Sequence, residues 1–182
     1  MKLEENVERV LISEEQLQKR ITELAEAITR DYEGKELTMA AILNGAVMFY
    51  TDLVRKVDLP VHFDFMRVSS YAKGTASTGV VKIHKDLDED ITGRHLLLVE
   101  DIIDSGNTLS YLKDYFLNRG AASVKICTLL DKPERRLVPV KVDYVGFTIP
   151  NEFIVGYGLD YAEDYRNIPY IGILKHSVYE NA

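Results

Sequence analysis

The sequence predicts an α/β protein with a mainly parallel sheet covered by helices. Apolar runs without alternation, residues 37–43 (LTMAAIL) and residues 96–99 (LLLV), read as strands buried on both faces, the habit of parallel strands. Small-residue turns follow both runs, and apolar positions at helical spacing follow the turns. At least four strand–turn–helix or strand–turn units therefore alternate along the chain.

Composition sets the outer bounds. The 182 residues are 46% hydrophobic and 28% charged, enough for one globular domain, residues 1–182, with a sizeable core. A net charge of −7 argues against a nucleic-acid or anionic-membrane partner, while leaving room for a local basic pocket. Cys127 lies in the apolar run VKICTLL and reads as a core residue; a single cysteine forms no disulfide within the chain. The opening MKLEENVERV lacks the apolar segment of a signal peptide, and no stretch reaches the length of a membrane span. A soluble cytoplasmic protein is expected.

The elements follow in order. Residues 7–12 (VERVLI) suggest a short strand. Ser13 with Gln16 makes a capping-box pattern, Leu17, Ile21, Leu24, Ala25 and Ile28 repeat at helical spacing, and Gly34 stops that helix. After the strand at 37–43, Asn44-Gly45-Ala46 is either an anion site or a plain strand-to-helix turn. The next helix is expected through Val47, Tyr50, Leu53, Val54 and Val57, ending before Pro60. Residues 61–68 (VHFDFMRV) alternate as a strand. The small, polar residues 69–79 then read as a hairpin tip, and strand character returns at 80–83. The acidic turn 86–90 (DLDED) is expected to be solvated. A helix carrying Leu109, Leu112, Tyr115 and Phe116 ends at Gly120. Strands at 124–130 and 142–149 follow, the first leading into the charged turn 131–136 (DKPERR). Residues 151–174 are dense in aromatics, which by composition alone belong to the core.

The chemistry gathers at residues 99–108, VEDIIDSGNT. Gly106 lets the backbone approach a ligand, Ser105 and Thr108 add hydroxyl donors, and the helix that starts here contributes partial positive charge for a phosphate. Glu100, Asp101 and Asp104 look misplaced beside a phosphate. They make sense if the ligand also carries a sugar diol or a bound cation. Acids flanked by Ile102-Ile103 on a buried strand are otherwise unusual, because buried charges need partners.

VEDIIDSGNT closely resembles the phosphoribosyl-pyrophosphate (PRPP) motif of type I phosphoribosyltransferases, in the variant carried by hypoxanthine phosphoribosyltransferases. LLDKPERR and the stretch from Phe153 to Arg166 match further segments in order, so the resemblance runs from about Val7 to Lys175. It implies a five-stranded parallel sheet with a small hood built from the chain ends. It also implies transfer of a 5-phosphoribosyl group from PRPP to N9 of a 6-oxopurine, with Mg²⁺ as cofactor and a homodimer or homotetramer as the assembly.

Roles carried over by the resemblance are these. Asp104 is the proton partner of purine N7. Glu100 and Asp101 hold the ribose hydroxyls directly or through Mg²⁺, which Asp160 also faces. Ser105, Gly106, Asn107 and Thr108 hold the 5′-phosphate. Asn44 and Gly45, around an unusual cis peptide, bind pyrophosphate with Arg166; many relatives carry Lys or Arg at the Asn44 position, but a backbone role survives the change. Lys132 contacts the purine oxygen, Phe153 stacks on the base, and backbone groups of Ile154 and Asp160 meet its edge. Ser70 and Tyr71 belong to a lid over the reacting sugar. A different class of function, a regulator that keeps the fold and senses PRPP or nucleotides, would call for a basic face or an added DNA-binding domain. The net charge of −7 speaks against the first.

Overall fold

A computed structural model describes residues 3–73 and 76–180; the side chains of residues 70–80 lie outside what it describes. Its centre is a six-stranded sheet in the order β4-β3-β2-β5-β6-β7. These strands are β2 (Leu37–Leu43), β3 (Val61–Lys73), β4 (Ala76–Lys85), β5 (His95–Ile103), β6 (Ser123–Asp131) and β7 (Tyr144–Thr148). β3, β2, β5, β6 and β7 are parallel neighbours, and β4 alone runs antiparallel, against β3. The expected five parallel strands are present, with one antiparallel strand added at the edge.

Burial on both faces explains the apolar runs. Along β2, Met39 and Ala41 pack toward α1 (Glu14–Tyr32) and α2 (Val47–Val54), while Ala40 and Ile42 pack toward α3 (Asn107–Asn118). β5 divides the same way, Leu97 and Val99 to one side and Leu96 and Leu98 to the other. No surface remains on these strands for polar alternation, as expected for the middle of a parallel sheet.

A second, three-stranded sheet pairs β1 (Val7–Ile12) with β9 (Ile171–Leu174), and β9 with β8 (Ile154–Val155), all antiparallel. It joins the two ends of the chain beside the C-terminal ends of the parallel strands.

Three expectations need correction. α2 ends at Val54, earlier than Val57, although Val57 is still buried against the core. The polar segment 69–79 is strand on both sides of its tip, since β3 reaches Lys73 and β4 starts at Ala76, with Ala72 opposite Ser77. The antiparallel partner lets these small residues satisfy their backbone groups in a ladder. The acidic turn is not simply solvated. Leu87 and Ile91 are buried, and Asp86 accepts from Tyr115 Oη and Arg119 Nη1, each at 2.6 Å. Cys127 is buried and unpaired, and burial pushes its thiol pKa up. No described helix is long and apolar enough to cross a membrane.

Candidate active site

The parallel strands end together, and their ends carry the acids. β2 stops at Leu43, whose peptide bond to Asn44 is cis. β5 stops at Ile103, opposite Asp131 of β6. A cleft of about 860 Å³ opens over these ends. Of the residues singled out above, it brings together Asn44, Gly45, Glu100, Asp101, Asp104, Ser105, Gly106, Thr108, Asp160 and Arg166.

Glycine is required at several contacts here. A Cβ on Gly45 would lie 1.6 Å from Asp101 Oδ2, and one on Gly158 would lie 2.0 Å from the Gly45 carbonyl oxygen. The two bare backbones thus hold Asp101 against the Asn44-Gly45 turn. Arg166 locks the outer side of this stack. Its Nη1 donates to Gly158 O at 2.8 Å, while Nη2 pairs with Asp160 Oδ1 at 2.9 Å and Glu163 Oε2 at 3.0 Å.

The turn at the head of α3 is shaped for an anion. Gly106 has φ +83, and a Cβ there would sit 2.8 Å from Val138 O. As the N-cap it offers no side chain, so the first-turn N–H groups are open apart from Asn107 N–H, which reaches Ser105 Oγ at 3.4 Å. The 133–138 segment is stitched underneath: Leu137 and Val138 donate their N–H to Ser105 O at 2.9 and 3.0 Å, and Arg136 Nε donates to Asp104 O at 3.1 Å.

Electrostatics single out the acids. Burial pushes the Glu100 carboxyl well above its usual range, and the neighbouring Asp101 charge adds to the rise. Burial also raises Asp101. Two desolvated carboxyls side by side are poised for a cation, whose charge would let both ionise. Asp104 is different: among the described residues its Oδ1 is buried without a hydrogen-bond partner, and its Oδ2 has only Arg135 Nε at 3.8 Å. A carboxylate oxygen held dry and unpaired is an acceptor waiting for a donor.

The expected metal set is only partly assembled. Among the described residues no three His, Cys, Asp or Glu side chains form a group able to hold a metal ion. Asp160 is engaged by Arg166 and by the Glu163 N–H at 2.9 Å. The chain itself therefore offers the Glu100–Asp101 pair. That suits Mg²⁺, which keeps waters and takes phosphate oxygens for its remaining positions.

Of the expected base-binding residues, Asp160 lines the cleft, while Lys132, Phe153 and Ile154 do not. Lys132 is only 8% exposed, its Nζ donates to Glu152 O at 2.7 Å, and burial lowers its ammonium pKa against the opposing pull of Asp104. The Phe153 ring stacks on Tyr179 at 4.7 Å and meets the edge of Tyr161 at 5.4 Å, so a base stacked there must use its other face or displace Tyr179. The Leu174 N–H to Phe153 O bond makes Ile154 and Ile173 a non-hydrogen-bonded pair. The N–H and C=O of Ile154 therefore point toward the open edge of β8. Asn107 begins α3 but does not line the cleft, and the side chains of Ser70 and Tyr71 lie outside the described residues. Sequence patterns passed over Arg135 and Leu137, which do line it. The charged turn after β6 was the available signal, and it pointed to Lys132 alone.

Known proteins resemble this chain over nearly its whole length. A family model described as a phosphoribosyl transferase domain matches residues 12–162. The chain is 54% identical over 179 residues to a hypoxanthine-guanine phosphoribosyltransferase of Streptococcus pneumoniae, covering 98% of this chain and 99% of that protein. It is 54% identical over 177 residues to the enzyme of the same name from Lactococcus lactis, covering 97% and 96%. A crystal structure of a hypoxanthine phosphoribosyltransferase from Staphylococcus aureus superimposes with a TM-score of 0.95 at 47% identity, covering 97% of this chain and 96% of that one.

Proposed function

This chain belongs to the phosphoribosyl transferase family, and from that premise we propose that it is a purine salvage enzyme. It transfers the 5-phosphoribosyl group of PRPP to N9 of hypoxanthine, and of guanine, releasing pyrophosphate. The observation that carries this is the meeting of three features in one cleft: the unpaired Asp104 oxygen, the open anion turn at α3, and the desolvated Glu100–Asp101 pair. The relatives reported above are all named for the transferase rather than for a nucleotide-sensing regulator.

The chemistry follows from these residues. The C1′–O bond to pyrophosphate breaks as the N9–C1′ bond forms, and the ring oxygen shares the positive charge in between. Asp104 takes the N7 proton, so the base attacks without accumulating charge. Glu100 and Asp101 accept from the ribose hydroxyls, and Ser105, Gly106, Asn107 and Thr108 hold the 5′-phosphate. The Asn44-Gly45 turn and Arg166 hold the departing pyrophosphate. Lys132 donates to the purine 6-oxo group, Phe153 packs on the ring, and backbone groups of Ile154 and Asp160 meet its 2-position edge. Mg²⁺, held by Glu100 and Asp101 with Asp160 nearby, would neutralise charge on pyrophosphate. Ser70 and Tyr71 belong to a segment that shields the sugar from water. Residues 1–182 work as one domain, in a cytoplasmic homodimer or homotetramer.

The test is direct. Purified protein with PRPP, Mg²⁺ and hypoxanthine should yield inosine 5′-monophosphate and pyrophosphate in equal amounts. Pyrophosphate release without nucleotide, or no reaction at all, would reject the proposal.

A further inference from the structure

The anion turn has an electrostatic deficit. Ser105, Gly106, Asn107 and Thr108 bring no positive side chain, and the cleft beside the turn is lined by Glu100, Asp101, Asp104 and Asp160 against two arginines. Arg166 is already engaged by a carbonyl and two carboxylates. Arg136, just below the turn, is spent on Asp131 and on Asp104 O, and Lys132 on Glu152 O. Arg135 differs from all of these. Among the described residues its guanidinium makes no hydrogen bond; it has only the contact to Asp104 Oδ2 at 3.8 Å, and its side chain is 54% exposed.

Its backbone, by contrast, is fixed to the turn. Arg135 N–H donates to Lys132 O at 3.1 Å, and the residues just after it clip onto Ser105 O. A long side chain thus hangs from a rigid base at the rim of the anion turn, loosely held by the acid that must later take a proton.

We infer that Arg135 is a phosphate-binding residue that leaves Asp104 and closes on the 5′-phosphate when PRPP or a purine nucleoside 5′-monophosphate enters. The inference rests on the phosphoribosyl-transfer proposal and deepens it. A guanidinium matches phosphate with two parallel hydrogen bonds, so a bound phosphate outcompetes a single contact at 3.8 Å. The exchange has a second effect. Seating the phosphate takes the Arg135 guanidinium away from Asp104 Oδ2 and leaves that oxygen to the base. Phosphate binding and readiness of the proton acceptor become one event.

The experiment compares inosine 5′-monophosphate with inosine, which lacks only the phosphate, by calorimetric titration in Mg²⁺. The proteins are wild type, Arg135→Gln and Arg135→Lys. Wild type should bind the nucleotide more tightly than the nucleoside. Arg135→Gln should weaken nucleotide binding about ten- to a hundred-fold, the range for a charged hydrogen-bonding partner, and leave inosine binding unchanged. Arg135→Lys should recover part of the loss. The KM for PRPP should rise in Arg135→Gln more than kcat falls. Equal weakening of nucleotide and nucleoside, or nucleotide binding within about twofold of wild type, would overturn the role of Arg135. A wild type that binds both alike would instead overturn the phosphoribosyl reading of the cleft, and the Arg135 role with it.

Discussion

Gly158→Ala offers a sharp perturbation, because the structure says how far something must move. Gly158 has φ +101, where a residue with a side chain is strained by about 1–3 kcal/mol. The new Cβ would sit 2.0 Å from Gly45 O, whereas real Cβ contacts essentially never fall below 3.0 Å. The Asn44-Gly45 turn, or the loop carrying Gly158, must therefore shift by about 1 Å, and Gly45 has no slack because it already abuts Asp101. A misplacement of about 1 Å in a reacting constellation costs about 10²-fold, so kcat/KM for PRPP should fall by about that factor. Gly34→Ala is the control: it has φ +73, with nothing within 4 Å of the added carbon. It carries comparable backbone strain at a distance from the cleft and should leave kcat/KM unchanged. Steady-state kinetics and thermal unfolding on both variants separate the two effects. Gly158→Ala within about threefold of wild type, or Gly34→Ala losing as much activity, would refute the glycine stack as the device that positions Asp101.

Two further outcomes are expected. Asp104→Asn keeps the shape of the side chain but cannot take the N7 proton, so kcat should drop about 10²–10⁴-fold while PRPP binding changes little; single-turnover kinetics would show this, and near-normal turnover would sink the role. Glu100→Gln should stabilise the fold at neutral pH. The folded carboxyl titrates above its usual range because of burial, so the native state binds more protons than the unfolded one between the two pKa values, and stability falls as pH rises through that window. The variant should lose this decline, and with it the rise in Tm expected when Mg²⁺ is added to wild type above that window. A wild-type Tm indifferent to both pH and Mg²⁺ would contradict the assignment.

Much of this architecture was legible because it is local. The Ser13–Gln16 capping box was visible as a spacing, and both reciprocal bonds form, Gln16 N–H to Ser13 Oγ at 3.3 Å and Ser13 N–H to Gln16 Oε1 at 2.8 Å. The apolar run of β5 and the glycine after Asp104 announced a buried strand and a tight turn, and both are there. What escaped depends on partners far along the chain. Asp86 looked like part of a wet acidic turn, yet its partners Tyr115 and Arg119 stand 29 and 33 residues away. Arg135 looked like one charge among several until the fold set its neighbours against Asp104 and Ser105. Tyr179 could not be placed against Phe153 from sequence, because the antiparallel pairing of β8 with β9 is what brings them together.

Base selectivity tests the central claim most directly. A buried ammonium has donors only, so Lys132 can satisfy a 6-oxo group and would face the 6-amino group of adenine with no acceptor. Leaving the donors not used by Glu152 O without an acceptor costs about 1–3 kcal/mol or more, roughly ten- to several-hundred-fold in rate. The backbone carbonyl proposed for the 2-position would accept from guanine, tolerate the bare carbon of hypoxanthine and repel the 2-oxo group of xanthine. The measurement is kcat/KM for the four bases at saturating PRPP and Mg²⁺. Hypoxanthine and guanine should be good substrates, with hypoxanthine ahead, xanthine poor and adenine essentially inactive. Adenine turning over as well as hypoxanthine, or xanthine serving as the sole substrate, would contradict the account.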